Sequence, residues 1–160
     1  MDNDEKILAH LVSVWREEKK FLSIGGKEGM LFLTDRHLMF VRKTQAKKKW
    51  WGAVTQRQVL TLIKTNNTMI RHDGYNEESL RLDLENKKNV EIPFNNILKI
   101  ESEERTWGTV LLLKIKENGK NKSYEFSIVQ DWVKYPMKDP IKYMKVDWLP
   151  IIQYIKDTQN

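Results

Sequence analysis

The chain contains no cysteine in its 160 residues. That excludes a disulfide scaffold, a thiol nucleophile and every cysteine-ligated metal site. Long apolar runs are missing as well. The longest span four to five residues, such as Val110 to Leu113, against the roughly 20 that carry a helix across a bilayer. The opening residues, Met1-Asp2-Asn3-Asp4-Glu5, are acidic and lack the basic-then-apolar order of a secretory leader. These absences point to a cytoplasmic protein, and the length suits a single domain over residues 1–160. Apolar residues at 40% and charged residues at 31% supply a core and argue against disorder.

Catalytic signatures are equally scarce. His10, His37 and His72 are scattered without metal-like spacing. There is no Gly-x-Ser-x-Gly elbow, no phosphate-cradling glycine loop that opens a helix, and no His-Glu-x-x-His pair. Gly25-Gly26-Lys27-Glu28-Gly29 reads as a hairpin turn that needs positive φ angles, and Glu103-Glu104 as a solvated turn rather than a catalytic dyad. No cofactor, metal or small-molecule substrate is implied, and an enzyme is not expected.

What the chain does have is a charge asymmetry. From Arg36 to His72 there is no Asp or Glu, while nine cations fall in the same 37 residues. The remaining 123 residues carry 19 basic and 22 acidic side chains, so all of the net +6 charge arises in that segment. Such a block creates a field for an anionic partner.

Periodicity organises the rest. Ile7, Leu8, Leu11, Val12 and Trp15 recur at helical offsets behind Asn3 or Asp4 as a cap, which predicts an N-terminal helix over residues 1–19. Strands are expected at Phe21 to Ile24, Met30 to Leu33 and Leu38 to Val41, with Thr34-Asp35-Arg36-His37 as a turn. Further strands are expected at Asn89 to Ile92, Ile97 to Ser102, Thr109 to Lys116 and Ser123 to Val129. Asn118-Gly119 between the last two is the strongest hairpin signal in the chain. Residues 43–88 read as a helical insertion, with Val54, Gln58, Leu62 and Val59, Ile63 at helical spacing. Asn76 to Asn86 also leans to helix, although Leu80, Leu82 and Leu84 alternate as in a strand. A loop with Pro136 and Pro140 leads to a last helix, 147–157, capped by Asp147 and presenting Trp148, Ile151, Ile152 and Ile155 on one face.

Gly29-Met30-Leu31-Phe32-Leu33-Thr34-Asp35-Arg36-His37-Leu38-Met39-Phe40 resembles the second and third strands of GRAM and bacterial pleckstrin-homology-like domains. Ile92-Pro93-Phe94-Asn95-Asn96-Ile97 is similar to a further element of those domains, and the following hairpin and helix come in the same order. The resemblance covers roughly residues 20 to 42 and 89 to 157. It implies a mainly β, α+β fold: a small barrel of about seven short antiparallel strands capped by the C-terminal helix, with extra helices. It also implies a binding module rather than a catalyst.

The candidate site follows from the charge block: Arg42, Lys43, Lys47, Lys48, Lys49, Trp50, Trp51 and Arg57. Lysines attract phosphate-bearing surfaces, and tryptophans favour the membrane–water interface. The alternative for Trp50 and Trp51 is that they pack the inserted helix onto the barrel, with the lysines merely flanking. A protein partner or an anionic lipid surface, with the protein peripheral at the membrane, are the expected contacts. Single-stranded nucleic acid is the further alternative, through segment 36–72 with Trp50, Trp51 and Tyr75 stacking on bases. The glycine turn holds only Lys27, countered by Glu28, so the family's usual phosphoinositide loop finds no support.

Overall fold

The computed structural model describes residues 1–18, 26–132 and 141–160. The expected strand at Phe21 to Ile24, Gly25 of the glycine turn and the loop with Pro136 and Pro140 lie outside the described residues. The rest forms eight antiparallel strands and three α-helices. The strands are β1 (Ile7–Glu18), β2 (Gly26–Thr34), β3 (His37–Val41), β4 (Val90–Pro93), β5 (Ile97–Arg105), β6 (Gly108–Glu117), β7 (Lys120–Trp132) and β8 (Ile141–Tyr143). The helices are α1 (Lys48–Thr65), α2 (Glu77–Leu84) and α3 (Leu149–Gln159). The strand order is β4-β3-β2-β1-β7-β6-β5, with β8 on β7.

This is the mainly β layout expected from the sequence, antiparallel strands followed by a C-terminal helix, with one difference. The sheet is not closed: β4 and β5 stand at its two ends, and among the described residues no ladder joins them. Helix α3 fills the opening. Trp148, Ile151, Ile152 and Ile155 are buried in one cluster with Leu31, Leu33, Leu111 and Leu113, and the Trp148 Nε1–H donates to the Thr109 carbonyl at 3.0 Å. The helix starts one residue later than its expected cap: Trp148 is the N-cap and makes no side-chain cap bond. Asp147 Oδ1, just before it, accepts from the Leu149 N–H at 2.9 Å, and Pro150 falls in the first turn.

The short-range turn chemistry holds. Asn118 and Gly119 have φ of 52° and 75°, closing the β6–β7 hairpin at the Glu117–Lys120 pair. Thr34 Oγ1 accepts from the backbone N–H groups of Arg36 and His37 at 3.1 and 2.8 Å, which makes the β2–β3 turn.

The expected N-terminal helix is a strand instead. Leu11 packs in the inner core and Val12 in a second cluster on the outer face of the sheet, so neighbours that point to opposite sides are both buried. A bulge between Leu11 and Val14, with Ser13 at φ 53°, adds a residue and shifts the alternation. Double-sided burial plus a phase shift mimics the helical offsets.

The glycine turn is also corrected. From Gly26 onward these residues belong to β2, paired Gly26 to Glu17 and Gly29 to Val14. Glycine is required there for close approach. A Cβ on Gly29 would stand 2.5 Å from the Val41 carbonyl and 2.7 Å from the Phe40 ring.

The insertion is helical as expected, and it builds the second core. Val54, Tyr75 and Leu80 pack with Ile7, Val12, Phe32 and Met39 on the sheet's outer face. It also covers the edge of β1 that β7 leaves free, since among the described residues β7 pairs with Val14 to Glu18 and not with the residues before them. There the His10 N–H donates to the Ile70 carbonyl at 2.7 Å. Farther along, Thr68 Oγ1 donates to the Asp147 carbonyl at 2.9 Å, and so the insertion is tied to the segment that enters α3.

Candidate functional site

The chain leaves β3 at Val41 and is clamped at once by two side chains from the far end of the insertion. Asn89 Oδ1 accepts from the N–H groups of Arg42 and Lys43, each at 2.9 Å. Its Nδ2 donates to the carbonyls of Lys43 and Asp83 at 2.8 and 2.6 Å. Asp83, buried, accepts from the Gln45 N–H at 3.0 Å and from the hydroxyls of Thr44 and Tyr75, each at 2.6 Å. Burial and the neighbouring Asp83 carboxylate push the Tyr75 hydroxyl up, so it stays protonated as the donor.

This clamp fixes where α1 begins. Lys47 is its N-cap and offers no side-chain acceptor, and the first turn holds no acid. Lys47, Lys48 and Lys49 are exposed around it. Cations at the positive end of a helix dipole are unfavourably placed, and an external anion relieves that arrangement.

The two tryptophans do not join the lysines at the surface. Trp50 Nε1–H donates to the Asp73 carbonyl at 2.8 Å. Its indole stacks with Tyr75 at 5.9 Å and with His10 at 6.0 Å between ring centroids. Gly74, at φ 88°, lies so close that a Cβ would sit 2.6 Å from Trp50 Nε1. Trp51 is half-buried and packs on the same outer cluster. Of the two uses weighed for this pair, packing of the inserted helix onto the sheet is the one seen. A cleft of about 340 Å³ opens between the start of α1 and α2, with Lys47, Trp50, Tyr75, Leu82 and Asp83 in its walls.

Deeper under α1 lies a neutral polar cluster. His72 Nε2–H donates to Gln58 Oε1 at 3.0 Å. Burial, with the Arg57 charge adding to it, pushes the His72 imidazole down to about 4. His10 is buried against Phe32, with ring centroids 4.1 Å apart, and is held well below the usual histidine range by the same desolvation. His37 opens β3 and bonds Glu5 Oε1 through Nδ1 at 2.8 Å. Among the described residues no group of three His, Asp or Glu side chains could hold a metal ion.

Folding neutralises the charge block only at its flanks. Arg36 pairs with Asp2 and Asp4 at 2.6 and 2.9 Å, and Arg71 with Glu77 at 3.2 Å. Arg42, Lys43, Lys47, Lys48, Lys49, Arg57 and Lys64 make no ion pair among the described residues. The predicted cations thus gather on and beside α1, joined by Lys64.

Two apolar members of this surface escaped the sequence reading. Leu60 and Ile63 are 63% and 60% exposed; the sequence marks Ile63 only through its helical spacing from Val59. The signal was present: α1 is buried along Val54, Gln58 and Leu62, and Leu60 and Ile63 fall off that line on a helical wheel. Arg16 was likewise missed. It is buried at the far end of the inner core with its guanidinium 4.8 Å from the Phe40 ring and 5.3 Å from Tyr124.

No family model and no curated protein matches the chain. Among solved structures it is similar to one described as "Vps36 N-terminal PH domain", at 9% sequence identity and a TM-score of 0.47, over 99% of this chain and 82% of that chain. The GRAM resemblance carried by the residue motifs has no family match beside it. Among the described residues no helix is long and apolar enough to cross a membrane.

Proposed function

We propose that the protein is a non-catalytic binding module that docks reversibly on an anionic membrane surface through its basic insertion. The observation that supports this is the set of seven cations on and beside α1 that have no ion partner among the described residues, in a segment without a single acid. Lys47, Lys48 and Lys49 lead, with Arg42, Lys43, Arg57 and Lys64 around them. Trp50 and Trp51 support the site from behind by holding α1 to the sheet. Nucleic acid loses ground as a partner, because Tyr75 is buried and Trp50 is stacked on it, which removes the aromatic platform that base stacking uses.

Each lysine near an anionic surface contributes about 1 kcal/mol, so the triplet supplies roughly 3 kcal/mol before ordering costs. Co-sedimentation with phosphatidylserine-containing vesicles tests the reading. Wild-type protein is expected to bind at low salt and to bind neutral vesicles much less. Changing Lys47, Lys48 and Lys49 together to Gln is expected to weaken binding at least about tenfold while leaving the melting temperature nearly unchanged. Absence of wild-type binding to anionic vesicles at low salt would sink it.

A further inference from the structure

The arc of α1 opposite its buried line combines charge with apolar surface. At 3.6 residues per turn it carries Lys49, Ala53, Gln56, Arg57, Leu60, Ile63 and Lys64, all of them exposed. Leu60 and Ile63 are one turn apart and form a contiguous aliphatic ridge, more than half exposed at 63% and 60%. Arg57 lies one turn before Leu60, and Lys64 one turn after it. No acid occurs anywhere on the helix. A surface helix of a monomer ordinarily places polar side chains on such an arc, so an exposed aliphatic pair flanked by cations and the uncharged Gln56, with no acid beside it, marks an interaction surface.

The charge complement of that ring is an anionic surface, and the aliphatic pair needs an apolar phase just beneath it. A fluid bilayer accepts such a ridge without a matching groove. The helix has 18 residues, about 27 Å at 1.5 Å per residue, so it offers a long line of contact in the headgroup plane. The tryptophans cannot take the apolar role, because their rings are committed to the sheet side.

We infer that α1 lies flat in the headgroup layer of an anionic bilayer, with Leu60 and Ile63 reaching the acyl boundary and Lys49, Arg57 and Lys64 on the lipid phosphates. This rests on the membrane reading above and adds to it an orientation and an inserted element. Binding then has two components: a salt-sensitive one from the cations and a salt-resistant one from the aliphatic pair.

The absence of cysteine from the chain makes a site-specific test direct. Leu60→Cys, Ile63→Cys and, on β5, Leu98→Cys are each labelled with an environment-sensitive dye; Leu98 is 55% exposed and stands at the opposite end of the sheet order from the insertion. The labelled proteins are titrated with vesicles of about 30% phosphatidylserine in phosphatidylcholine. Dyes at 60 and 63 are expected to shift to the blue on binding, and the dye at 98 to stay unchanged. The double variant Leu60→Gln/Ile63→Gln is expected to bind these vesicles about tenfold more weakly, the loss of two partly inserted aliphatics, and to lose the remainder on adding salt. If the unlabelled protein binds but the dyes at 60 and 63 do not move, or the double variant binds as wild type, the inserted helix is wrong and the electrostatic docking stands. A dye at 98 that shifts as much as those on α1 overturns the orientation. If wild-type protein binds none of these vesicles at low salt, the membrane reading fails and the inference with it.

Discussion

The side-chain amide of Gln58 forms both halves of a strand-like pair with the backbone of Val12: the Val12 N–H donates to Oε1 at 2.8 Å, and Nε2 donates to the Val12 carbonyl at 2.7 Å. Val12 stands at the bulge in β1, opposite the region that β7 does not reach. A bulge frees backbone groups, and the β7 ladder that could satisfy them begins only two residues later, at Val14. A helix supplies the missing partner with one side chain. Gln58 is itself fully buried, so the pair is shielded from water and neither partner has a solvent alternative.

Replacing Gln58 by Leu is therefore expected to strand two buried backbone groups of Val12 and the His72 ring. Each unsatisfied group costs about 1–3 kcal/mol, and a total loss of about 2–4 kcal/mol is expected. Urea denaturation reads it. A loss under about 0.5 kcal/mol, the range of an ordinary surface substitution, would show that water or a backbone shift replaces the amide.

Three glycines should respond to alanine in different directions. Gly29→Ala places a methyl against the Val41 carbonyl and the Phe40 ring at 2.5 and 2.7 Å and should destabilise by about 1–3 kcal/mol. Gly119→Ala has open space but sits at φ 75°, so a cost of about 1 kcal/mol is expected from backbone conformation alone. Gly52 lies within α1 with nothing inside 4 Å, and alanine there should stabilise by about 0.5–1 kcal/mol. Thermal melts of the three variants give the signs; a stabilising Gly29→Ala would mean that β2 and β3 are not packed this closely.

Acid should loosen the insertion. His72 is depressed to about 4 in the folded protein, against an ordinary value of 6.5, through burial and the nearby Arg57. Arg71 opposes protonation of His10, and Asp73 alone favours the charged form of His72. At neutral pH both rings are neutral whether the chain is folded or not, so the contribution to stability is fully present above about 6.5. Below that the unfolded chain takes up protons first, and stability falls until the folded His72 also titrates near 4. Stability measured from pH 7 to 4 should show a shallower decline in His72→Gln than in wild type. Equal slopes would mean that His72 is solvated in the folded state.

Trp50→Ala separates packing from surface contact. Its indole bridges Asp73, Tyr75 and His10, so a loss of about 2–4 kcal/mol is expected, close to the range for truncating a buried aromatic. Vesicle affinity per folded molecule should change little at a temperature where the variant is folded. Unchanged stability with lost binding would return the tryptophan to the surface.

Local chemistry made much of the fold legible. Asn118-Gly119 can hold two positive φ angles, Thr34 can bond its own turn, and Asn76 caps α2 by accepting from the Ser79 N–H at 3.0 Å; none of these depends on distant residues. The face of α3 was readable for a related reason, because it buries one side only. The charge block was also readable, since the lack of acids between Arg36 and His72 is a property of the chain itself.

What the sequence alone determined, then, is wherever one residue's environment comes from its neighbours in the chain. Tertiary structure decided the rest. β1 became a strand because the insertion, some 40 residues away, covers its outer face, and alternation fades when both faces are buried. Gly26 and Gly29 are explained by Trp15 and Phe40 packed over them, not by a turn. Trp50 and Trp51 turned inward because an aromatic floor, His10 and Phe32 of the sheet with Tyr75 of the insertion, is assembled there from three separate stretches. Leu60 and Ile63 were left outside for the same reason: once Val54, Gln58 and Leu62 face the sheet, helical geometry sends the residues beside them to the surface.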